Sequence, residues 1–275
     1  MSQTPPYSKS YPTIVRRASG KLHRFDLASI MDHDSQPFAL QAYLLGQIDF
    51  DTCLALQQRL VYETSGAANG GITLLICEHS PLITVGRSGS RTHLHISSEE
   101  LTSQQVSVRW LNRGGGCLVH LPGQLAIYPI VPLDHYGWTV GEYLSRLEKG
   151  LSHTLAELGV HGVTRTGWHG VWGRTGQLAA IGVAVKNWTT YHGAFVNVSP
   201  AMRLVRRVVT DPLEESSMSS LMIERQGSVK MTAVRAGLVR NLAEAFGAER
   251  YHLHTSHPLL ARSADRPREP AARVQ

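Results

Sequence analysis

Three consecutive glycines set between apolar runs constrain this chain more than any other feature. Arg113-Gly114-Gly115-Gly116 leads directly into Cys117-Leu118-Val119-His120-Leu121-Pro122-Gly123-Gln124. Glycine lacks a Cβ, so such a segment turns sharply and lets a ligand or another backbone approach closely. Exposed amides in a turn of this kind bind an anionic or carbonyl oxygen, and Arg113 adds positive charge beside them. A second stretch, Gly176-Gln177-Leu178-Ala179-Ala180-Ile181-Gly182-Val183, has small residues at 179, 180 and 182. Read as a strand, it points Gln177, Ala179 and Ile181 to one face and Leu178, Ala180 and Gly182 to the other. The small side chains leave room beside the sheet.

The rest of the chain supplies separated helices and strands without regular βαβ alternation, which favours an α+β domain. Asp49 caps a helix running to about residue 63, with Phe50, Cys53, Leu54 and Val61 on one face. Short strands are expected over 72–77, 82–86, 106–111 and 125–131. Thr139-Val140-Gly141-Glu142 matches a capping box, and Val140, Tyr143, Leu144, Leu147, Leu151 and Leu158 follow a helical period to the stop at Gly159. Residues 170–199 read as a strand meander. Ser228 caps a last helix ended by Gly247. Residues 1–38, rich in proline, serine and mixed charge, are expected to be a poorly ordered extension, 39–250 the folded domain, and 251–275 a loose tail.

Composition narrows the function classes. With 275 residues the chain buries a substantial core. No apolar run reaches membrane-span length, and the N-terminus carries no apolar signal-peptide core, so a cytoplasmic protein without membrane attachment is expected. Cys53, Cys77 and Cys117 form no close-spaced metal pattern, and His252, His254 and His257 lack a thiol or carboxylate cluster; no metal or cofactor is expected. The net charge of +6 suits nucleic acid or an acidic protein. Beyond Arg203, Arg206 and Arg207 the charges are dispersed and no aromatic-interleaved basic motif occurs, which argues against nucleic acid.

As ordered blocks, the two glycine-bearing stretches and their neighbours resemble the lipoyl(octanoyl) transferases. Supporting blocks are Glu78-His79-Ser80-Pro81 through Gly86-Arg87, Tyr128-Pro129-Ile130, Gly170-Val171-Trp172 and His192-Gly193-Ala194-Phe195-Val196-Asn197, with Leu45-Gly46 through Leu56-Gln57 similar to the family's opening helix. The resemblance implies the biotin/lipoate protein ligase fold, a mixed sheet with flanking helices. It implies octanoyl transfer from acyl carrier protein to a lysine of lipoyl domains, by a monomeric protein without cofactor. It also implies an acyl pocket walled by residues 113–120 (Arg113, Gly114, Gly115, Gly116, Cys117, Leu118, Val119 and His120), by Ala180, Ile181 and Gly182, and by Gly193, Ala194 and Phe195. In the family a lysine helps ionise a cysteine nucleophile, since only the thiolate attacks well. This chain has Gln177 at the lysine position. Counting on from Asn197-Val198 places Asp211 at the cysteine position, and no cysteine follows Cys117. The expectation is a family member impaired in this chemistry. Two alternatives stay open: a non-catalytic paralogue that binds acyl groups or lipoyl domains, and a transferase with Cys117 or another group as nucleophile.

Overall fold

The computed structural model describes residues 39–67, 70–210 and 217–260. Among them, eight strands form one mixed sheet and three form a second, smaller one, with helices packed on both sides, as an α+β chain should. The large sheet runs β11-β1-β2-β6-β10-β9-β8-β7. Its members are β1 (Ala39–Gln47), β2 (Thr73–Glu78), β6 (Gln124–Ile130), β7 (Val163–Arg165), β8 (Trp168–Gly173), β9 (Gly176–Lys186), β10 (Thr189–Asn197) and β11 (Arg250–His254). The small sheet is β4 (Ser107–Trp110), β3 (Leu82–Val85) and β5 (Cys117–His120), with β3 in the middle.

The helices follow the patterning of the sequence. Asp49 caps α1 (Phe50–Ser65) by accepting from the Thr52 amide at 2.8 Å. α2 (Ser98–Ser103) is one short turn capped by Ser97. The Thr139–Glu142 capping box opens α3 (Val140–Glu157), whose Tyr143, Leu144, Leu147, Leu151 and Leu155 are buried. Short helices α4 (Met202–Val205) and α5 (Leu221–Arg225) precede α6 (Met231–Ala245). α3 and α6 pack together on one face of the large sheet and share a core with Leu74, Leu125, Ala179 and Ile181. α1 and the small sheet enclose a second core, containing Cys77, Val119, Ala180 and Phe195, on the opposite face.

Three expectations need correction. Ala39–Gln47, taken with the opening helix in part, is a strand held between β2 and β11, and the helix starts at Phe50. Residues 250–254 are not a loose tail, because they pair in parallel with β1. Lys230, not Ser228, sits at the N-cap of α6 and makes no side-chain cap bond. The expected extension over 1–38 lies outside the described residues, as does 261–275. No helix among the described residues is long and apolar enough to cross a membrane.

Leu147 is fully buried at the centre of the α3 face, whereas Val140 at its start is 37% exposed. Leu147→Ala should therefore cost about 2–5 kcal/mol of unfolding free energy. Val140→Ala should stay within about 0.5 kcal/mol. Urea titrations of the two variants test this assignment of the buried face.

Candidate active-site cleft

The cleft begins with the way Arg113 is held. Its guanidinium is buried and donates to the Thr84 carbonyl at 2.9 Å, the Thr84 hydroxyl at 2.7 Å and the Gly114 carbonyl at 2.9 Å. Burial pulls its pKa down to about 10. The Thr84 hydroxyl in turn donates to His120 Nε2 at 2.9 Å. His120 Nδ1–H donates to Gln124 Oε1 at 3.1 Å, and the Gln124 amide donates to Asn197 Oδ1 at 2.9 Å. The tautomer of His120 follows from this chain, because a hydroxyl that accepts from arginine has its own proton left to give. Interlocked donors and acceptors thus join β3, the glycine segment, β5, β6 and β10.

The glycine segment then folds back over β9. The Gly114 amide donates to the Val183 carbonyl at 2.8 Å, and the Gly116 amide donates to the Thr210 carbonyl at 3.1 Å. A Cβ on Gly182 would stand 2.7 Å from the Gly114 carbonyl oxygen, so glycine is required for two backbones to cross there. Two of the three glycine amides expected to meet a ligand oxygen are therefore already engaged within the protein. His120, expected in the pocket wall, has both ring nitrogens occupied by the internal network. Its pKa lies well below the ordinary histidine value, chiefly from burial and then from His79 and Arg113.

Between the glycine segment and β8–β9 lies a cleft enclosing about 30 Å³. Arg113, Gly115, Gly116, Leu118, Gln177, Ala180 and Ile181 line it, joined by Trp168, His169, Trp172 and Thr210. Gly114, Cys117, Val119, Gly182, Gly193, Ala194 and Phe195 lie outside this lining: Phe195 packs edge-on against His120, and Gly182 is covered by the crossing loop. The space suits one or two waters. It falls far short of the roughly 300 Å³ typical of small-molecule pockets. Beside Gly182, the room left by the missing side chain is taken up by the docked loop and the Arg113 side chain.

Gln177 reaches the cleft through a β-bulge. Trp172 pairs with Gln177 and Val171 with Ala179, leaving Leu178 as the extra residue. Leu178 and Ala179 both join the α3–α6 core, so strict alternation fails. Gln177 consequently lies with Ala180 in the cleft rather than with Ala179. Its amide nitrogen abuts Gly170, where a Cβ would come within 2.6 Å. Its backbone is bridged to the chain at Met218, with Gln177 N–H donating to the Ser217 carbonyl at 3.1 Å and Ser219 N–H to the Gln177 carbonyl at 2.8 Å. Asp211 lies outside the described residues; it directly follows Thr210 of the cleft lining.

Cys117 is fully buried, with its thiol 3.6 Å from the Ser90 carbonyl, and burial raises its pKa. Lys186 is exposed at the far end of β9 from Gln177. Away from the cleft, Cys53, Cys77 and His79 bring three donor atoms within 4.8 Å of one another, a proximity invisible in the spacing of the sequence. There His79 donates from Nδ1 to the Ile48 carbonyl and accepts at Nε2 from the Tyr128 hydroxyl, each at 2.8 Å. A separate groove of about 260 Å³ has an apolar floor of Pro81, Val106, Leu121 and Leu204, with Arg203 and Arg207 at its edge.

Comparison with known proteins agrees with this architecture. The family model described as the lipoyl protein ligase A/B catalytic domain matches residues 49–243. An octanoyltransferase of Geotalea uraniireducens is 36% identical over 192 residues, covering 70% of this chain and 86% of the relative. One from Roseiflexus sp. is 35% identical over 213 residues, covering 76% and 88%. Among solved structures, a bipartite lipoate protein ligase from Thermoplasma acidophilum superposes with a TM-score of 0.63 at 14% identity, covering 82% of this chain and 91% of the other. At that identity the likeness is one of fold.

His79, His120 and His192 are buried and held neutral; burial is the leading cause for each, and it takes His192 down to about 3. Between such a folded value and about 6.5 the unfolded chain binds more protons. The stability they contribute is therefore complete above about pH 6.5 and declines as the pH falls, by up to roughly 1.4 kcal/mol per pH unit for each histidine. Urea midpoints at pH 7.5 and 5 should differ accordingly, and His192→Gln should reduce the difference. A midpoint unchanged between these values would contradict neutral burial.

Proposed function

The chain belongs to the lipoyl protein ligase A/B catalytic-domain family, and on that premise we propose that it serves protein lipoylation as an octanoyltransferase-type protein that does not carry the octanoyl chain on a thiol of its own. Octanoyl-acyl carrier protein and lipoyl domains are its proposed partners. The observation that carries this reading is the neutral, buried Gln177 on the cleft wall, in a chain with no cysteine beyond Cys117. An amide neither ionises a thiol nor takes a proton from one. Cys117 is a poor substitute, because its thiol is packed off the cleft and burial disfavours the thiolate.

Its supporting features are the matched fold, the arginine-glycine segment docked on β9, and the exposed Arg203 at the apolar groove, a positive charge suited to an acidic acyl carrier. The narrow cleft adds a constraint. For an eight-carbon chain to enter, the glycine segment must lift from Gly182 and break the 2.8 Å bond to Val183. Acyl donors should accordingly bind weakly, with the chain held outside the closed cleft.

Incubation with octanoyl-acyl carrier protein followed by intact-mass analysis should show no octanoyl adduct. A hydroxylamine-labile adduct on Cys117 would refute the proposal. Gln177→Lys combined with Asp211→Cys should introduce an adduct that neither change produces alone, because the amine is needed to ionise the thiol and the thiol to accept the chain. A well-folded double variant that binds acyl donor yet stays unmodified would refute the placement of Asp211 at the nucleophile position.

A further inference from the structure

We propose that Cys53, Cys77 and His79 bind a zinc ion that clips α1 to the large sheet. None of the three lines the cleft, and the site does not depend on the reaction proposed above.

The donors come from two elements and a loop that meet in the core. Cys53 is on the buried face of α1, Cys77 is near the end of β2, and His79 follows β2 by one residue. Each is at most 1% exposed. The two sulfurs lie 4.0 Å apart, Cys77 Sγ lies 3.6 Å from His79 Nε2, and all three ligating atoms fall within 4.8 Å of one another. A tetrahedral zinc ion, with bonds of about 2.3 Å to sulfur and about 2.05 Å to nitrogen, separates two sulfurs by about 3.8 Å and sulfur from nitrogen by about 3.6 Å. Two of the separations are therefore close to those the ion needs. The third, between Cys53 and His79, shortens by about 1 Å at most on binding.

The histidine is oriented as a ligand. Its Nδ1 donates to the Ile48 carbonyl at 2.8 Å, which leaves the lone pair on Nε2. A backbone carbonyl on the far nitrogen is the usual outer partner of a ligating histidine, because it fixes both tautomer and ring. Nε2 faces Cys77 Sγ and the Tyr128 hydroxyl, the latter at 2.8 Å. That hydroxyl satisfies the lone pair until an ion claims it, and its oxygen then fills the fourth position. Cys53 has outer support as well. Gln57 Nε2 donates to its sulfur at 3.8 Å, while Gln57 Oε1 accepts the His192 amide at 2.8 Å and so holds the donor in place.

The donor set selects the metal. Two thiols and an imidazole are too soft for calcium or magnesium. Binding replaces the two thiol protons with the ion, and a divalent charge then cancels both thiolates. A monovalent copper ion would leave one negative charge buried without a partner, at a high desolvation cost. With four protein donors no position is open to a substrate, which marks a structural site.

The test takes the full chain, reduced and stripped with a chelator, and adds zinc chloride or cobalt(II) chloride. Plasma mass spectrometry after desalting should find one zinc per chain, and zinc should raise Tm. Cobalt should give the visible bands of a tetrahedral site together with thiolate charge-transfer absorption. Two protons should be released per ion, so affinity should fall steeply as the pH drops. Cys53→Val and Cys77→Val should each weaken binding by about 100-fold or more, whereas Cys117→Ser should leave it unchanged. Wild-type protein that retains no zinc overturns the proposal, as does a cobalt spectrum without thiolate absorption. So does wild-type affinity in a folded Cys53→Val, Cys77→Val double variant. Should the valine variants fail to fold, the cobalt spectrum and zinc content of the wild type decide alone.

Discussion

The site depends on one buried cation. Arg113 is 1% exposed, yet its hydrogen bonds go to carbonyl and hydroxyl oxygens rather than to a carboxylate. A charge removed from water without a counter-ion is costly unless its donors are satisfied. Two Thr84 oxygens and the Gly114 carbonyl provide most of that satisfaction. They bind the arginine to β3 on one side and to its own loop on the other. The planar, five-donor guanidinium suits this task, and a lysine would not span both sides with fixed geometry. Once Arg113 is fixed, the Thr84 hydroxyl is committed to His120, and the order extends through Gln124 to Asn197. The loop, the small sheet and the large sheet are thereby set in a common frame.

That frame changes the meaning of the glycines. In the sequence, a run of three followed by small residues on a strand reads as space for a ligand. In the structure, most of the space at Gly182 is used by the protein itself, because the Gly114 carbonyl crosses where a Cβ would be. Composition does not distinguish glycine for a ligand from glycine for a backbone. The decision lies in whether the opposing segment docks, and here Arg113 docks it.

What was legible in the sequence was local. The Asp49 cap, the Thr139–Glu142 capping box and the heptad-like run through Leu151 are each determined within a few turns of chain, and α1 and α3 follow them closely. Strand cores such as 72–77 and 125–131 were equally plain from their apolar runs. β1 was not, because Ala39–Gln47 owes its conformation to parallel partners some thirty and two hundred residues away. The cleft divides in the same way. Arg113, Gly115, Gly116, Gln177 and Ala180 were marked by motif, while Trp168, His169 and Thr210 reach it through sheet pairing and loop closure. The bulge at Leu178 has no signal in residue type, and alternation alone would have turned Gln177 towards the wrong core.

The charges of the finished cleft then limit its chemistry. On the floor, Arg113 contributes a positive charge and Gln177 contributes dipoles but no proton exchange. Neighbouring histidines, His120 and His192, are buried so deeply that protonating them would add a second unpaired cation next to Arg113, and they stay neutral. None of these groups generates a nucleophile from within the protein. A buried guanidinium favours negative charge brought close to it. His169, half exposed, pairs with Glu148 of α3, the helix that packs on the Val171 and Ala179 side of the sheet. Among the described residues, the side chains lining the cleft include neither a thiol nor an amine, so Arg113 and Gln177 set its polarity.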